Sequence, residues 1–550
     1  MRRLELGNLE KMSENTKKSI VVQGSILALA GLISKIIGFI YRIPMANIMG
    51  NTGNGIYSVA FGIYNIALTL SSYSMPLAVS KLISSRLAKG EYKNSRKLFS
   101  KALIFAFIAG MTACMALLFG AEFLAGLYKK TGLERPLRVL APTTFVVAML
   151  GTCRGYFQGH KTMVPTAVSQ VIEQIINAIV SVACTAYFVR SIASEEGKAS
   201  YGAMGGTFGT LAGAMTALIF FIVLFMLKRG EMKEEMGHDD VCDEESGLIY
   251  KAIILTVIPV IISQSIYQLG YTMDDLLFGN LMKLKGVSEN VATDLQGVFN
   301  TQYNQMINLP TAIATSMAAA TLPSIVALFT VGKFDQVKQK MDTVLKVNMF
   351  IAIPSAVGLA VLADPIMSIL FPRLKEYHDV AVTLLMTGSS AVIFYALSTL
   401  TTSILQGCNR MSVPVIHSGI SLVIHIAIVA GLVYYTDLGV YGLVIGNVTF
   451  PLVVCILNCR SVIKLLEYKM DWSGVFFKPL ISAAVMGAGT YGAYQLLGLI
   501  KDDNTRMLKL IYMLIAMAVA GVLYVVMLGL LKTYTKDELK RMPLVKKFVK

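Results

Sequence analysis

Residues 98–128 read LFSKALIFAFIAGMTACMALLFGAEFLAGLY, with Lys101 and Glu122 as the only formal charges. A helix rises about 1.5 Å per residue, and the hydrocarbon core of a bilayer is about 30 Å thick. This run therefore suffices to cross a membrane as one helix. Its apolar residues do not alternate, so it does not read as a strand of a closed barrel, the other structure that lipid tolerates.

Working outward, the same test yields about fourteen spanning segments. They lie near residues 20–48, 56–84, 98–128, 137–157, 165–190, 201–227, 248–278, 296–329, 341–370, 379–405, 414–435, 441–462, 474–500 and 507–531. Composition agrees. Of 550 residues 55% are hydrophobic and 15% charged, against about 25% charged in soluble domains. The expected fold is an all-α polytopic membrane protein.

The charges mark sides. Arg2, Arg3, Lys11, Lys17 and Lys18 precede the first span, and Arg86, Lys89, Lys93, Arg96 and Lys97 lie in the second connection. Lys532, Lys536, Lys540, Arg541, Lys546, Lys547 and Lys550 follow the last span. An even number of spans puts all three groups on one face, and cytoplasmic loops carry the excess of Lys and Arg. Both termini are thus expected in the cytoplasm of a cell-membrane protein, and the net charge of +16 reads as topology. Lys129, Lys130, Arg135 and Arg138 are exceptions on the outer side. No basic patch is interleaved with stacking aromatics, which argues against nucleic acid. Residues 1–19 are polar and charged, and no cleavable signal is expected. The seven cysteines include no CxxC pair, so neither a metal nor a disulfide is expected.

Short words recur in order. Gly55-Ile56-Tyr57 returns as Gly297-Val298-Phe299, and Gly90-Glu91-Tyr92 as Gly332-Lys333-Phe334. Gln158-Gly159 with Met163 and Pro165 returns as Gln406-Gly407 with Met411 and Pro414. The near-constant offset predicts two copies in the same membrane orientation, a parallel repeat. The expected organisation is a tail (1–19), a lobe of six helices (20–227), a charged linker (228–247), a second lobe of six (248–464), two added helices (474–531) and a basic tail (532–550). Paired lobes suit alternating access.

Ionisable groups within spans are costly and usually face the protein interior or water. Lys35 and Arg42 stand seven apart in the first span, on one helix face, and are the candidate cleft cations. Gln170, Glu173, Gln174 and Asn177 form one stripe, facing either a cavity or another helix. Gln264, Gln268, Asp274 and Asn308 are further candidates for cleft lining, and Asp274 adjoins Asp275. Arg154, with Gln158 and Gly159, ends the fourth span, where snorkelling to the interface is expected. Pro44, Pro76, Pro165, Pro310, Pro354 and Pro414 mark expected bends or hinges.

The stretch Ser34-Lys35-Ile36-Ile37-Gly38-Phe39-Ile40-Tyr41-Arg42 resembles the opening of the multidrug/oligosaccharidyl-lipid/polysaccharide exporter superfamily. Asn54-Gly55-Ile56-Tyr57, Pro76-Leu77-Ala78-Val79-Ser80-Lys81 and Arg154-Gly155-Tyr156-Phe157-Gln158-Gly159 are similar to motifs of its SpoVB/YtgP group, relatives of the MurJ lipid II flippases. Lys35 stands where the MurJ branch has its first arginine. Leu68 and Thr69 stand where that branch has neighbouring arginines.

The resemblance implies a flippase for a lipid-linked cell-wall or polysaccharide precursor. Lys35 and Arg42 would then meet a pyrophosphate that is costly to drag through hydrocarbon. The implied partners are that lipid-linked oligosaccharide, membrane lipids and cell-wall synthesis enzymes, with the chain acting as a monomer. No cofactor is expected, and no Walker-type loop is present. Energy would come from the membrane potential, an ion gradient or product removal. The alternatives are a cation-coupled multidrug or metabolite exporter, marked by a carboxylate site such as Glu173, and a membrane-embedded glycosyltransferase or polymerase. The latter normally shows paired catalytic carboxylates, and the flippase reading makes the chain no enzyme.

Overall fold

The computed structural model describes residues 2–231, 234, 244–500 and 505–534, and every described element is a helix. Most of the 228–247 linker, the basic tail beyond residue 534 and the side chains of the 1–19 tail lie outside the described residues. In chain order the helices are α1 (Arg2–Ser71), α2 (Met75–Leu87), α3 (Tyr92–Leu127), α4 (Glu134–Gly159), α5 (Val164–Ser191) and α6 (Glu195–Leu227). Then follow α7 (Ser246–Leu284), α8 (Glu289–Gly297), α9 (Asn304–Thr330), α10 (Phe334–Val361), α11 (Ala363–Leu370) and α12 (His378–Gly388). The last are α13 (Ala391–Gly407), α14 (Ser412–Tyr435), α15 (Val440–Leu466), α16 (Lys478–Ile500) and α17 (Arg506–Leu530).

The fourteen apolar segments are mainly helical, with turns at 72–74, 362 and 389–390 interrupting three of them. Nine helical stretches among the described residues are long and apolar enough to cross a membrane, or ten if the bent pair ending in α13 is one span. Part of the difference is a merger. The first two segments merge into one stretch across a kink at Gly50 (φ 74°, ψ 177°). The eighth is divided by a π-helical turn, Val298–Tyr303, between α8 and α9. The kink falls at Gly50 rather than Pro44, which lies inside the helix. Pro76 and Pro165 start α2 and α5, where a missing N–H costs no helical hydrogen bond.

Two compact units emerge. The first comprises residues 1–49 and 56–272, the second residues 50–55 and 273–550. The division falls inside α7. The reason is packing: Ile249, Ile253 and Val257 of α7 join the apolar core that Met75, Ile83, Leu150, Phe157 and Phe221 build in the first unit. In the second unit Met513 and Ala516 of α17 close against Leu362 and Ile369. Arg506 Nε donates to Ile369 O at 2.7 Å, and Tyr524 OH to Phe350 O at 3.2 Å, tying α17 down.

The repeated words fold alike. Gly90 N–H bonds Leu87 O (3.1 Å), Glu91 N–H bonds Arg86 O (3.0 Å) and Tyr92 N–H bonds Gly90 O (3.1 Å). Gly332, Lys333 and Phe334 bond Phe329, Leu328 and Gly332 in the same order, each at 3.0 Å. Both glycines take the left-handed backbone that such a helix stop requires, with φ of 79° and 71°. The third pair matches as well. Lys161 and Asn409 sit at φ 59° and 58° and bond Gln158 O and Gln406 O. Gly159 lies on Ile83, and Gly407 lies on Ile325.

Gly55 and Gly297 meet within the second unit. Gly55 rests on the backbone of Thr293, Gly297 on that of Asn51, and Thr52 Oγ1 donates to Asp294 Oδ1.

Candidate functional site

The first unit holds the candidate cations. On α1 the exposed residues Leu29, Ile33, Ile36 and Ile40 share one apolar face. At about 100° per residue Lys35 and Arg42 point about 20° apart, well away from that face. Lys35 is exposed. Arg42 is enclosed beside Tyr41 and Tyr57, and its Nε is buried without a hydrogen-bond partner. Among the described residues neither cation has a carboxylate partner. A buried donor left unpaired costs about 1–3 kcal/mol, more if charged.

Glu173 is engaged elsewhere. Its Oε2 accepts from Arg154 at 2.6 Å, and Arg154 Nε donates to Ser169 Oγ at 3.1 Å. Both side chains are largely covered, at 14% and 19% exposure. Arg154 therefore reaches sideways from α4 to α5 instead of snorkelling, because a carboxylate one helix away is the better partner. One turn on, Gln158 Nε2 lies 3.5 Å from Thr166 Oγ1, and Gly159 packs on α2.

The rest of the α5 stripe divides. Asn177 is buried, donates to Tyr41 OH at 3.2 Å, and its Oδ1 lies 2.9 Å from Ser181 Oγ. Ser181 Oγ also lies 2.7 Å from Gly206 O. Asn177 is thus packed between α1, α5 and α6. Gly205, Gly209 and Gly213 line one face of α6 and let it touch the α5 backbone at Thr185, Asn177 and Glu173. Gln170 is half-buried with Oε1 unpartnered, and Gln174 Oε1 lies near Gly38, on the cation side of α1.

The second unit contains a polar network that the sequence reading missed. Asp274, proposed as cleft lining, is only 6% exposed and lies 2.7 Å from His425 Nε2. His425 Nδ1 sits 2.9 Å from Gly446 O, so that nitrogen carries the proton. Asp275 accepts from Asn300 Nδ2 at 2.7 Å. Tyr303 OH lies 3.1 Å from both Gly388 O and Asn447 Oδ1. The π-helical turn places Asn300 and Tyr303 in this network; such turns recur at functional sites. A histidine in the apolar run 412–435 and an asparagine in 440–466 were the available signals. Gln264 and Gln268 are half-buried, and Asn308 is exposed.

A chain of so many long apolar helices is a multi-pass α-helical membrane protein. Residues 20–329 match the polysaccharide biosynthesis protein family, and the chain belongs to it. Residues 301–430 also match the MatE family. The chain is similar to the lipid II flippase MurJ of Bacillus subtilis, 25% identical over 91% of this chain and 93% of that one. It is likewise similar to stage V sporulation protein B of the same organism, 23% identical over 95% and 98%. Among solved structures it resembles a lipid II flippase MurJ in an inward closed conformation, with a TM-score of 0.65, 14% identity and coverage of 92% and 98%. It also resembles an inward-facing multidrug resistance MATE family transporter of the MOP superfamily, with a TM-score of 0.60, 16% identity and coverage of 78% and 99%.

Proposed function

We propose that this protein flips a lipid-linked cell-wall or polysaccharide precursor, of the undecaprenyl-pyrophosphate sugar kind, across the cell membrane by alternating access. The observation that carries the reading is the state of Lys35 and Arg42. They share a helix face, have no carboxylate among the described residues, and the stripe's own acid, Glu173, is taken by Arg154. Two cations so placed suit a pyrophosphate, which charge-assisted hydrogen bonds hold well. The prenyl tail stays in lipid and no bond is broken, so the chain acts as a transporter and not an enzyme. Both relatives cited above match it over nearly their whole length, and the first is named for flipping lipid II.

The same pairing weakens the cation-coupled exporter reading, which would centre on a free Glu173. The orientation that goes with the proposal has both termini in the cytoplasm, following the Lys and Arg excess. Work by the monomer, beside cell-wall synthesis enzymes, completes the proposal. The membrane potential, an ion gradient or product removal would drive it.

Depletion in cells followed by mass analysis of lipid-linked precursors tests the cargo. Accumulation of a pyrophosphate-linked sugar on the cytoplasmic leaflet supports the proposal. Unchanged precursors with accumulation of a soluble amphiphile overturn it.

A further inference from the structure

A second lipid-shaped feature lies in the first unit, on other helices than the cations of α1. A cavity of about 490 Å³ opens between α3, α4 and α6, within the range of about 300–1,000 Å³ typical of small-molecule sites. Its wall on α3 runs Arg96, Phe99, Leu103, and its wall on α6 runs Arg229, Met226, Ile222. On each helix the spacing of three, four and seven keeps these residues on one face. The two helices run in opposite directions here, since Arg96 lies near the start of α3 and Arg229 just past the end of α6. Both arginines therefore mark the same end of the cavity, and the lining beyond them is apolar apart from the Ser100 hydroxyl and the Cys153 thiol.

The floor is fixed by the stacked rings of Phe99 and Phe225, 5.2 Å apart, with Met149 and Cys153 of α4 behind. Ile222 and Met226 are 45% and 69% exposed, so the cavity is open along its side toward lipid. Lys228, next to Arg229, is paired with Glu231 at 2.8 Å.

We infer that this cavity is a binding site for an anionic glycerophospholipid. Its phosphate would sit between Arg96 and Arg229 and one acyl chain along the Leu103–Met149–Ile222 wall. The charge pattern selects that occupant. A zwitterionic lipid offers the arginines no net charge, and a free phosphate leaves the apolar length empty. The site is independent of the proposed cargo path, which uses Lys35 and Arg42.

The test is native mass spectrometry of the full chain, delipidated and then titrated with phosphatidylglycerol or phosphatidylcholine. Phosphatidylglycerol should be retained at least about tenfold better, the equivalent of one charge-assisted contact. R96Q/R229Q should remove that preference, and Ile222→Trp should remove retention with both arginines intact. K35Q/R42Q should retain phosphatidylglycerol normally, which separates this site from the flipping proposal. Equal retention of the two lipids overturns the inference, as does unchanged preference in R96Q/R229Q. Displacement of phosphatidylglycerol by a prenyl pyrophosphate would assign the cavity to cargo instead.

Discussion

Gly55 and Gly297 each lie against the backbone of the other's segment, Gly55 on Thr293 and Gly297 on Asn51. They are matched positions of the internal repeat, and their contacts are reciprocal. A side chain at either position meets main chain, which cannot swing aside.

Gly55→Ala and Gly297→Ala should therefore each destabilise the protein, by about 1–3 kcal/mol as for other overpacked sites. The two losses should be similar, because the contacts are. Gly31→Ala is the control: a methyl there meets nothing within 4 Å, and a helical alanine is favoured by about 0.5–1 kcal/mol. Thermal unfolding in detergent reads all three. A silent Gly297→Ala would contradict the reciprocity.

Lys35→Gln and Arg42→Gln should each lower precursor flipping in reconstituted vesicles by about tenfold or more, one charge-assisted hydrogen bond being worth about 1.5–3 kcal/mol. Abundance should hold, since neither change strands a carboxylate. Arg42→Lys should keep part of the activity, as a point charge without the bidentate fork. Full activity in the double variant would end the cationic-site mechanism.

Glu173→Gln should behave differently. It leaves the enclosed Arg154 guanidinium without its counter-charge, and breaking such a pair costs about 3–5 kcal/mol. Loss of folded protein is expected, with recovery in R154Q/E173Q. Measuring abundance before transport distinguishes the two cases.

In the second unit His425→Ala should destabilise more than Asp274→Asn. The first strands a buried carboxylate, whereas the second keeps a polar partner for the ring. Replacing both with leucine should recover much of the loss. Unfolding midpoints of the three variants would show the order.

Asp471 gives a pH prediction outside the spans. The Gly474 N–H and then Lys346 hold its carboxyl below its ordinary value. A lowered folded value means the contribution is complete above the unfolded pKa of about 3.9 and fades as pH falls through the lower folded value. Asp471 Oδ2 is 3.1 Å from Lys346 Nζ, and its Oδ1 accepts from Gly474 N–H. The junction ahead of α16 should thus loosen only below about pH 4, and Asp471→Asn should flatten that part of the stability–pH curve.

Much of the fold was legible because lipid leaves few choices. Long apolar runs had to be helices, and every described element is helical. The turns at Gly90 and Gly332 were found as words because a left-handed helix stop restricts the residue there. The candidate site was less legible. Polarity told which residues avoid lipid but not which partner each one takes. Arg154 and Glu173 lie 19 apart in sequence, a separation that no helical period relates. His425 and Asp274 are 151 apart. The unit boundary at Thr272 was hidden too, because the face of α7 that packs on the first unit is as apolar as any lipid-facing run.

The glycine face of α6 also bears on the order in which the chain assembles during synthesis. Its hydrogen bonds back to α5 span 17 and 25 residues, so this hairpin can zip shut soon after α6 emerges. The Thr52–Asp294 bond spans 242 residues. Until residues 289–297 have been made, the 50–55 corner lacks its Thr52–Asp294 bond. A nascent chain stopped before that point would hold finished hairpins and one open corner, the site a membrane chaperone or a quality-control protease would read as unfinished.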